Sequence, residues 1–226
     1  MISRQELIRR LTNPIAGQTA PPTQRGDSLA ATPASVLILI LNASNSEQEP
    51  DWHLLFTRRT ERVADHKGQV SFPGGRADPL DPDPETTALR EAQEEIGLLP
   101  EHVQIIGRLE QVLTISNYLV TPVVGLIPYP YQFTLNPEEV SRVFSIPIAW
   151  LADPTNHETR FRESLPEGVS ESFNQVVYFK PYQGEVLWGM TAEITLRVIA
   201  RLTAPSESRG APRFPRAKRR GSAPEA

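Results

Sequence analysis

The segment over residues 84–96 constrains the fold most, because helix-terminating signals stand at both of its ends. Asp83 is a preferred N-cap residue, and Pro84 suits the first helical position, where its missing N–H is not needed. Gly97 suits the left-handed conformation that commonly follows the last residue of a helix. The sequence therefore predicts one helix over 84–96, whose faces can be assigned.

Two different faces adjoin on this helix. At about 100° per residue, one sector collects the small and apolar side chains of Ala88, Leu89, Ala92 and Ile96. The adjoining sector, roughly 100° wide, collects Glu91, Glu94 and Glu95. We expect the apolar face to pack against the protein core, which leaves three glutamates side by side at its border.

The glutamate cluster is electrostatically unfavourable unless a cation compensates it. Carboxylates three or four residues apart on a helix repel each other by about 0.2–0.5 kcal/mol per pair. Glu94 and Glu95 also lie in the last turn, where the helix dipole disfavours carboxylates by roughly 0.3–1 kcal/mol. Within the helix, only Arg90 offers compensation. The cluster therefore predicts a bound cation.

The residues before the helix favour a ligand site over the usual explanation of a charge run, a solvated acidic face. Gly74 and Gly75 leave the backbone open to close approach, and the loop over 76–84 is rich in Asp and Pro. Carboxylate oxygens without His or Cys suit Mg²⁺ or Mn²⁺. Loop and helix together indicate a site for metal and phosphate.

The run from Gly74 to Leu98 resembles the Nudix box, in which Gly is followed after five residues by Glu and after seven more by Arg-Glu-apolar-x-Glu-Glu-x-Gly-apolar. The second half matches at every specified position. In the first half, the glycine position falls on Arg76 and the upstream glutamate position on Pro82. A one-residue insertion aligns Gly75 instead, and the missing glutamate has three candidate substitutes: Asp81, Asp83 and Glu85.

The mismatch in the first half of the box resembles one branch of the family, the coenzyme A pyrophosphatases. That branch combines a longer Asp-containing loop with the run Thr-Ala-Leu-Arg-Glu-Ala. Here that run occupies residues 87–92. The upstream signature of the branch is matched by residues 55–60, by Gly68 and by Phe-Pro-Gly-Gly at 72–75, whereas Ala64 stands where the signature has Arg. The resemblance spans about residues 33–202.

The resemblance implies a role for each charged residue of the helix. It assigns Glu91 and Glu95 to metal binding, assisted by the carbonyl oxygen of Gly75. Glu94 is either a third ligand or a base that acts through water. Arg90 is assigned to orienting the carboxylates through its planar guanidinium, with a simple helix ion pair as the alternative.

Glu139 is a further candidate, as a general base, and a carboxylate at the start of a helix is the equal alternative. A bound Mg²⁺ or Mn²⁺ lowers the pKa of water and screens the charge of a pyrophosphate. The expected reaction is therefore hydrolysis of a phosphoanhydride.

Coenzyme A carries phosphates and an apolar arm, so its site should combine cations with an apolar groove. Arg58, Arg59 and Arg62 precede the glycine pair at a suitable point to meet phosphate, and we assign Gly74 to substrate binding as well. Phe72 and Trp188 are expected to serve packing.

The favoured function is hydrolysis of coenzyme A or acyl-coenzyme A to 3′,5′-ADP and (acyl-)4′-phosphopantetheine. The alternative is a Nudix pyrophosphatase acting on ADP-ribose, NADH or another nucleoside diphosphate derivative. A non-catalytic Nudix-like binding module is the third hypothesis, which the joint retention of the arginine and three glutamates of the box disfavours.

Strand patterns lie on both sides of the acidic helix. Apolar runs predict strands over 35–42, 52–59, 104–113, 120–127 and 176–179, and further helices over 1–11 and 190–202. This order indicates an α+β fold, and the resemblance implies the Nudix-type α-β-α sandwich around a mixed sheet. We expect a helix and a Pro/Thr/Gly-rich connection over 1–32, the Nudix domain over 33–202 and a disordered basic tail over 203–226.

Composition disfavours several other classes of protein. The chain has no cysteine, which removes thiolate metal sites and cysteine nucleophiles and suits a reducing, cytoplasmic location. It lacks an apolar run long enough to cross a bilayer. A net charge of −4 gives no general attraction to nucleic acid. We expect a small-molecule substrate, no specific nucleic-acid partner and no membrane span, and a homodimer is compatible with the sequence.

Overall fold

The computed structural model describes residues 2–12, 31–44, 46, 48–61, 68–165, 167 and 169–204. The helices in these residues are α1 (Arg4–Thr12), α2 (Pro84–Ile96), α3 (Ile148–Leu151) and α4 (Gly189–Thr203). The strands are β1 (Thr32–Asn42), β2 (Trp52–Arg59), β3 (Val70–Ser71), β4 (Gly74–Arg76), β5 (Gln104–Arg108), β6 (Val112–Leu113), β7 (Tyr118–Leu126), β8 (Val140–Pro147), β9 (His157–Phe161) and β10 (Gln175–Phe179). Most of the predicted connection and the basic tail lie outside the described residues.

Strand β1 is the centre of a mixed sheet. It pairs in parallel with β7 and antiparallel with β2 and β4. Strands β3 and β8 pair with β2, and β5 and β6 pair with β7, whereas β9 and β10 form a separate hairpin. Residues 34–41 of β1 are all buried. Because a strand covered on both faces carries a continuous apolar run, the predicted strand 35–42 becomes the middle layer.

Alternation along β1 divides the core into two layers. Val36, Ile38 and Ile40 belong to the core that α1 and α4 cover, through residues such as Leu11 and Val198. The intervening residues Leu37, Leu39 and Leu41 belong to the other core, with Ala88, Ala92 and Ile96 of α2. Successive strand residues point to opposite faces, so the apolar run supports helices on both sides. The predicted α-β-α sandwich around a mixed sheet is confirmed.

The sequence pattern predicted α1, α2, α4, β1, β2, β7 and β10 close to their observed limits. The predicted strand 104–113 is two strands, β5 and β6, because the pairing with β7 shifts register between Ile105 and Gly107 and is interrupted after Arg108. The pattern missed β3, β4, β8, β9 and α3. In the described part of the chain, no helix is long and apolar enough to span a membrane.

The glycine pair belongs to a short strand. Gly74 and Gly75 lie in β4, paired with Val36 and Ser35 of β1. Gly74 has φ +151°, and a Cβ there would lie 2.6 Å from the Cα of Val36. Only glycine fits this conformation and this close approach. The β4 backbone therefore lies close against β1, and β4 also borders α2.

Candidate active site

Helix α2 has the predicted caps. The Asp83 side chain accepts a hydrogen bond from the Thr86 N–H at 2.8 Å, and Pro84 opens the helix. Gly97 is left-handed with φ 65°, and its N–H donates to the Gln93 carbonyl at 3.0 Å. The predicted limits of α2 are therefore confirmed, and they fix the direction in which each glutamate side chain leaves the helix.

The three clustered glutamates of α2, Glu91, Glu94 and Glu95, occupy three different environments. The Glu95 side chain is only 3% exposed, Glu91 is half-buried, and the Glu94 side chain is 56% exposed. Burial disfavours a charged carboxylate, and it raises the pKa of Glu91 and that of Glu95. Glu91 and Glu95 therefore form the interior part of the cluster, and Glu94 forms its solvent edge.

Strand β4 lies directly against the Glu91 carboxylate. A Cβ built on Gly75 would lie 2.5 Å from Cδ and from Oε2 of Glu91. A contact that short cannot exist, so any side chain at position 75 would force the carboxylate away. The Gly75 backbone therefore lies against Glu91, and the metal role of the Gly75 carbonyl stays a prediction.

Arg90 links the glutamates to the loop before the helix. Its Nη1 donates to Glu91 at 2.9 Å and to Glu94 at 3.3 Å, and its Nη2 donates to Asp81 at 2.9 Å and to the Arg76 carbonyl at 3.1 Å. The hydrogen bond to Asp81 is the largest of the causes that raise the pKa of Arg90. In return, Arg90 lowers the pKa of Asp81 to about 2. Arg90 therefore contacts Glu91, Glu94 and Asp81 together, and its orienting role stays a prediction.

The structure distinguishes the three residues that could replace the missing upstream glutamate. Asp83 caps the helix, and Glu85 forms an ion pair with Arg108. Asp81 is the one that contacts Arg90, and the Thr87 hydroxyl also donates to it at 2.9 Å. The sequence could not separate these residues, because the choice depends on how the loop folds back onto the helix.

Among the described residues, Arg59 is the cation that pairs with the buried Glu95 carboxylate. Its Nη1 donates to Oε1 of Glu95 at 3.4 Å. Burial nevertheless outweighs this pair and raises the pKa of Glu95 to about 8, with further increases from the charges of Glu91 and Glu139. The Arg59 charge and the Gly74 N–H each lower the pKa of Glu95, but by less than burial raises it. A buried carboxylate with so little compensation favours an added cation.

Glu139 reaches the same cluster from the loop before β8. Its charge raises the pKa of both Glu91 and Glu95. The Asn136 side chain donates to Glu139 Oε1 at 3.2 Å, while the Asn136 N–H donates to the Glu95 carbonyl at 2.9 Å. The structure thus brings Glu139 together with the helix glutamates.

The carboxylates fit a divalent cation by their chemistry. Oε2 of Glu95 is buried without a hydrogen bond of normal geometry, and a buried polar atom without a partner is costly. Glu91, Glu95 and the Gly75 carbonyl could hold the ion, and oxygen ligands of this type suit Mg²⁺ or Mn²⁺. Within the described residues, no three carboxylate or imidazole groups already form a metal cluster. Glu94 is turned instead toward Arg90 and solvent.

The other predicted phosphate-binding residues are separated. Arg58 points to the sheet face opposite Arg59, because neighbouring strand residues alternate. There its Nη1 donates to Glu185 at 3.1 Å, and Arg142 holds the second oxygen of Glu185 at 3.1 Å. Arg62 lies outside the described residues. Of the two described arginines, Arg59 lies at the glutamates and Arg58 does not.

A cavity of about 490 Å³ borders the site on the face that α4 covers. It is mostly apolar, and its wall includes Arg59, Gly74 and Gly75, which also border the glutamates. Phe72 is buried against Phe56, as expected for packing. Trp188 and Arg162 also line the cavity. Arg162 was not predicted from the sequence, because no local motif marks it, and Trp188 was assigned to packing.

The chain is similar to proteins of one known family over most of its length. The family model for the NUDIX domain matches residues 31–167. The chain belongs to the Nudix family. It is 34% identical over 194 residues to a protein of Photorhabdus laumondii named "Uncharacterized Nudix hydrolase NudL", which covers 86% of this chain and 95% of that protein. A protein of the same name from Yersinia pestis (strain Pestoides F) is 40% identical over 147 residues, 64% of this chain and 70% of the relative.

Two solved structures are similar to part of this chain. The Caenorhabditis elegans Ap4A hydrolase binary complex has 17% identity and a TM-score of 0.43, covering 51% of this chain and 80% of that one. A MutT/nudix family protein of Enterococcus faecalis has 14% identity and a TM-score of 0.47, covering 88% and 73%. Because the names of the NudL relatives state no substrate, the coenzyme A branch remains a prediction.

Gly75→Ala tests the contact between β4 and α2 in this Nudix protein. The added methyl group would displace the Glu91 carboxylate, so we expect Mn²⁺ affinity to fall about 10- to 100-fold, measured by titration of the metal-free protein. Gly107→Ala is the matched control, because a Cβ at Gly107 meets nothing closer than 3.6 Å. Equal Mn²⁺ affinity in the two variants would contradict the assignment.

The raised pKa of Glu95 predicts an unusual pH dependence of stability. The unfolded chain releases this proton near pH 4.5, whereas the folded protein keeps it until about pH 8. The folded state therefore binds the extra proton between these values, and its stability must fall as pH rises through that window. The slope reaches at most about 1.4 kcal/mol per pH unit.

We expect this loss in metal-free protein when the free energy of unfolding is measured by urea titration from pH 5 to pH 8 in EDTA. Glu95→Gln carries no titrating proton at this position, so its stability should fall less over the same range. Parallel curves for the two proteins would show that Glu95 titrates normally.

Proposed function

We propose that this protein is a metal-dependent hydrolase of the phosphoanhydride bond of coenzyme A or acyl-coenzyme A. The products are 3′,5′-ADP and 4′-phosphopantetheine or its acylated form. One observation carries the proposal: the half-buried Glu91 carboxylate lies against the backbone of Gly75, which lines a large, mostly apolar cavity, and the buried Glu95 lies one turn further along α2.

A bound cation would supply the electrostatic part of the proposed hydrolysis. Glu91, Glu95 and the Gly75 carbonyl would hold Mg²⁺ or Mn²⁺, and the bound ion would supply charge screening for a pyrophosphate and a lowered pKa for water. Arg90 contributes by orientation, since it contacts Glu91 through one terminal nitrogen and Asp81 through the other. Carboxylates held in place before binding lose less conformational freedom when the ion and the substrate arrive.

The proton of the attacking water needs an acceptor, and two residues are candidates. Glu139 is close enough to the metal-binding carboxylates to raise the pKa of both. Glu94 is mostly exposed, and Arg90 engages its carboxylate at 3.3 Å. A base must be within hydrogen-bond reach of the proton, directly or through one water. We assign the role to Glu139 and keep Glu94 as the alternative that acts through water.

Two features support a coenzyme A substrate within the Nudix class. The first is the agreement of residues 55–60, 72–75 and 87–92 with the coenzyme A branch. The second is the cavity, whose apolar wall also carries Arg59 and Arg162. Apolar pockets with a few placed polar groups are typical of small-molecule sites, and this combination suits a ligand with phosphates and an apolar arm.

ADP-ribose, NADH or another nucleoside diphosphate derivative is the second candidate substrate class. Ala64 replaces the arginine of the coenzyme A signature, and Arg58 is engaged by Glu185. Both observations remove a cation that could otherwise contact the additional phosphate of coenzyme A. Arg62 is a further candidate for that contact and lies outside the described residues.

A substrate panel distinguishes these proposals. The purified chain is incubated with Mg²⁺ or Mn²⁺ and with coenzyme A, acetyl-coenzyme A, dephospho-coenzyme A, ADP-ribose, NADH and nucleoside triphosphates. We expect coenzyme A to be hydrolysed with a higher kcat/KM than its dephospho form, with 3′,5′-ADP as the nucleotide product. Faster turnover of ADP-ribose would contradict the specificity, and no turnover of any compound would favour a non-catalytic binding module.

Glu95→Gln tests the catalytic assignment on the best substrate of that panel. Removing the charge should lower kcat/KM by several orders of magnitude while the circular dichroism spectrum is unchanged. The matched control is Glu193→Gln, which breaks a surface ion pair with Arg197 on α4 at 2.6 Å. We expect the control to keep wild-type activity. Near-normal turnover by Glu95→Gln would refute the metal role of this residue.

A further inference from the structure

Trp188 is the inner member of a stack of three side chains. Its ring lies parallel to that of Tyr178, with 5.7 Å between the ring centroids and 6° between the planes. On Tyr178, the Arg160 guanidinium carbon lies 4.6 Å from the ring centroid. Trp188 lines the 490 Å³ cavity, and Tyr178 does not. The indole surface that faces the cavity is therefore the part that Tyr178 leaves uncovered.

The stack also fixes the orientation of the indole. Tyr178 and Trp188 form a backbone bridge, which ties β10 to the start of α4. Trp188 has an extended backbone and directly precedes the first residue of that helix. A flat aromatic surface held by strand, helix and stacked ring needs little reordering to receive a planar ligand. It can therefore serve as more than a packing contact.

Arg162 adds a positive charge to the same cavity. Its Nε donates to the Phe173 carbonyl at 3.0 Å, which leaves two terminal nitrogens for other contacts. Among the described residues, no carboxylate forms an ion pair with Arg162. A half-buried guanidinium in a mostly apolar wall gains from an anionic ligand, and it matches the geometry of phosphate well.

From these two observations, we infer that Trp188 and Arg162 form the nucleoside-binding part of the substrate site. The indole of Trp188 stacks on the adenine ring, and Arg162 contacts the phosphate carried by the ribose. Every base has a π face that can stack on an aromatic side chain, and arginine distinguishes a nucleotide with the additional phosphate from one without it. This inference rests on the proposed function for the choice of adenine nucleotide.

The test uses binding without turnover, so that it is independent of catalysis. Full-length protein in EDTA is titrated with 3′,5′-ADP, 5′-AMP and 4′-phosphopantetheine, and binding is followed by tryptophan fluorescence and calorimetry. The chain has three tryptophans, so Trp188→Phe identifies the source of the signal. Trp150→Phe is the matched control, because Trp150 stacks near Phe179 and does not line the cavity.

We expect 3′,5′-ADP to quench fluorescence in the wild type and in Trp150→Phe, but not in Trp188→Phe. Trp188→Leu should raise the Kd for 3′,5′-ADP by roughly 10- to 100-fold, whereas Trp188→Phe retains a stacking ring and should raise it less. Arg162→Gln should raise the Kd for 3′,5′-ADP by about tenfold or more and leave that for 5′-AMP nearly unchanged. Arg197→Gln, a surface variant on α4, should change neither value.

Two results would overturn the inference. Quenching of Trp188 by 4′-phosphopantetheine rather than by 3′,5′-ADP would place the pantetheine arm on the indole. The absence of any Trp188-dependent signal would leave the stack with a packing role alone. Coenzyme A hydrolysis accompanied by either result would refute the inference and retain the proposed function. Trp188-dependent binding of 3′,5′-ADP without hydrolysis of any compound in the substrate panel would retain the inference and refute the proposed function.

Discussion

Burial of the Glu95 carboxylate is the constraint on which the candidate site depends. Helix α2 packs on the central sheet through Ala88, Ala92 and Ile96, and this packing carries Glu95 into the interior. Arg59 compensates the charge at 3.4 Å, yet burial still raises the pKa of Glu95 to about 8. A divalent cation would supply the missing compensation, so the apolar packing of the helix and the metal chemistry are linked.

Local signals made the main parts of the fold predictable. The caps of α2 and the apolar run of β1 each depend on neighbouring residues, and both were predicted close to their observed limits. The strands β3, β4 and β9 were missed because their strand conformation depends on pairing with distant segments. Gly74 and Gly75 show this most clearly, since glycines ordinarily weaken strands and here permit close contact with β1.

The site was predictable as a set of residues, but not as a geometry. Sequence analysis named the four charged residues of the box, but it could not tell that Glu95 is buried while Glu94 is exposed. It also could not separate Arg59 from Arg58, which the alternation of β2 sends to opposite faces of the sheet. The contact between Asp81 and Arg90 depends on how the loop before α2 folds. Each of these distinctions depends on residues far apart in the chain.

The central claim is that Glu91, Glu95 and the Gly75 carbonyl together hold one divalent cation. Its most direct test is a crystal structure of the protein soaked in Mn²⁺, with the ion located by anomalous scattering in the presence of a non-hydrolysable substrate analogue. The account predicts an anomalous peak at roughly 2.0–2.3 Å from oxygens of all three residues. An anomalous map without a peak beside Glu91 and Glu95, with the analogue bound, would contradict it.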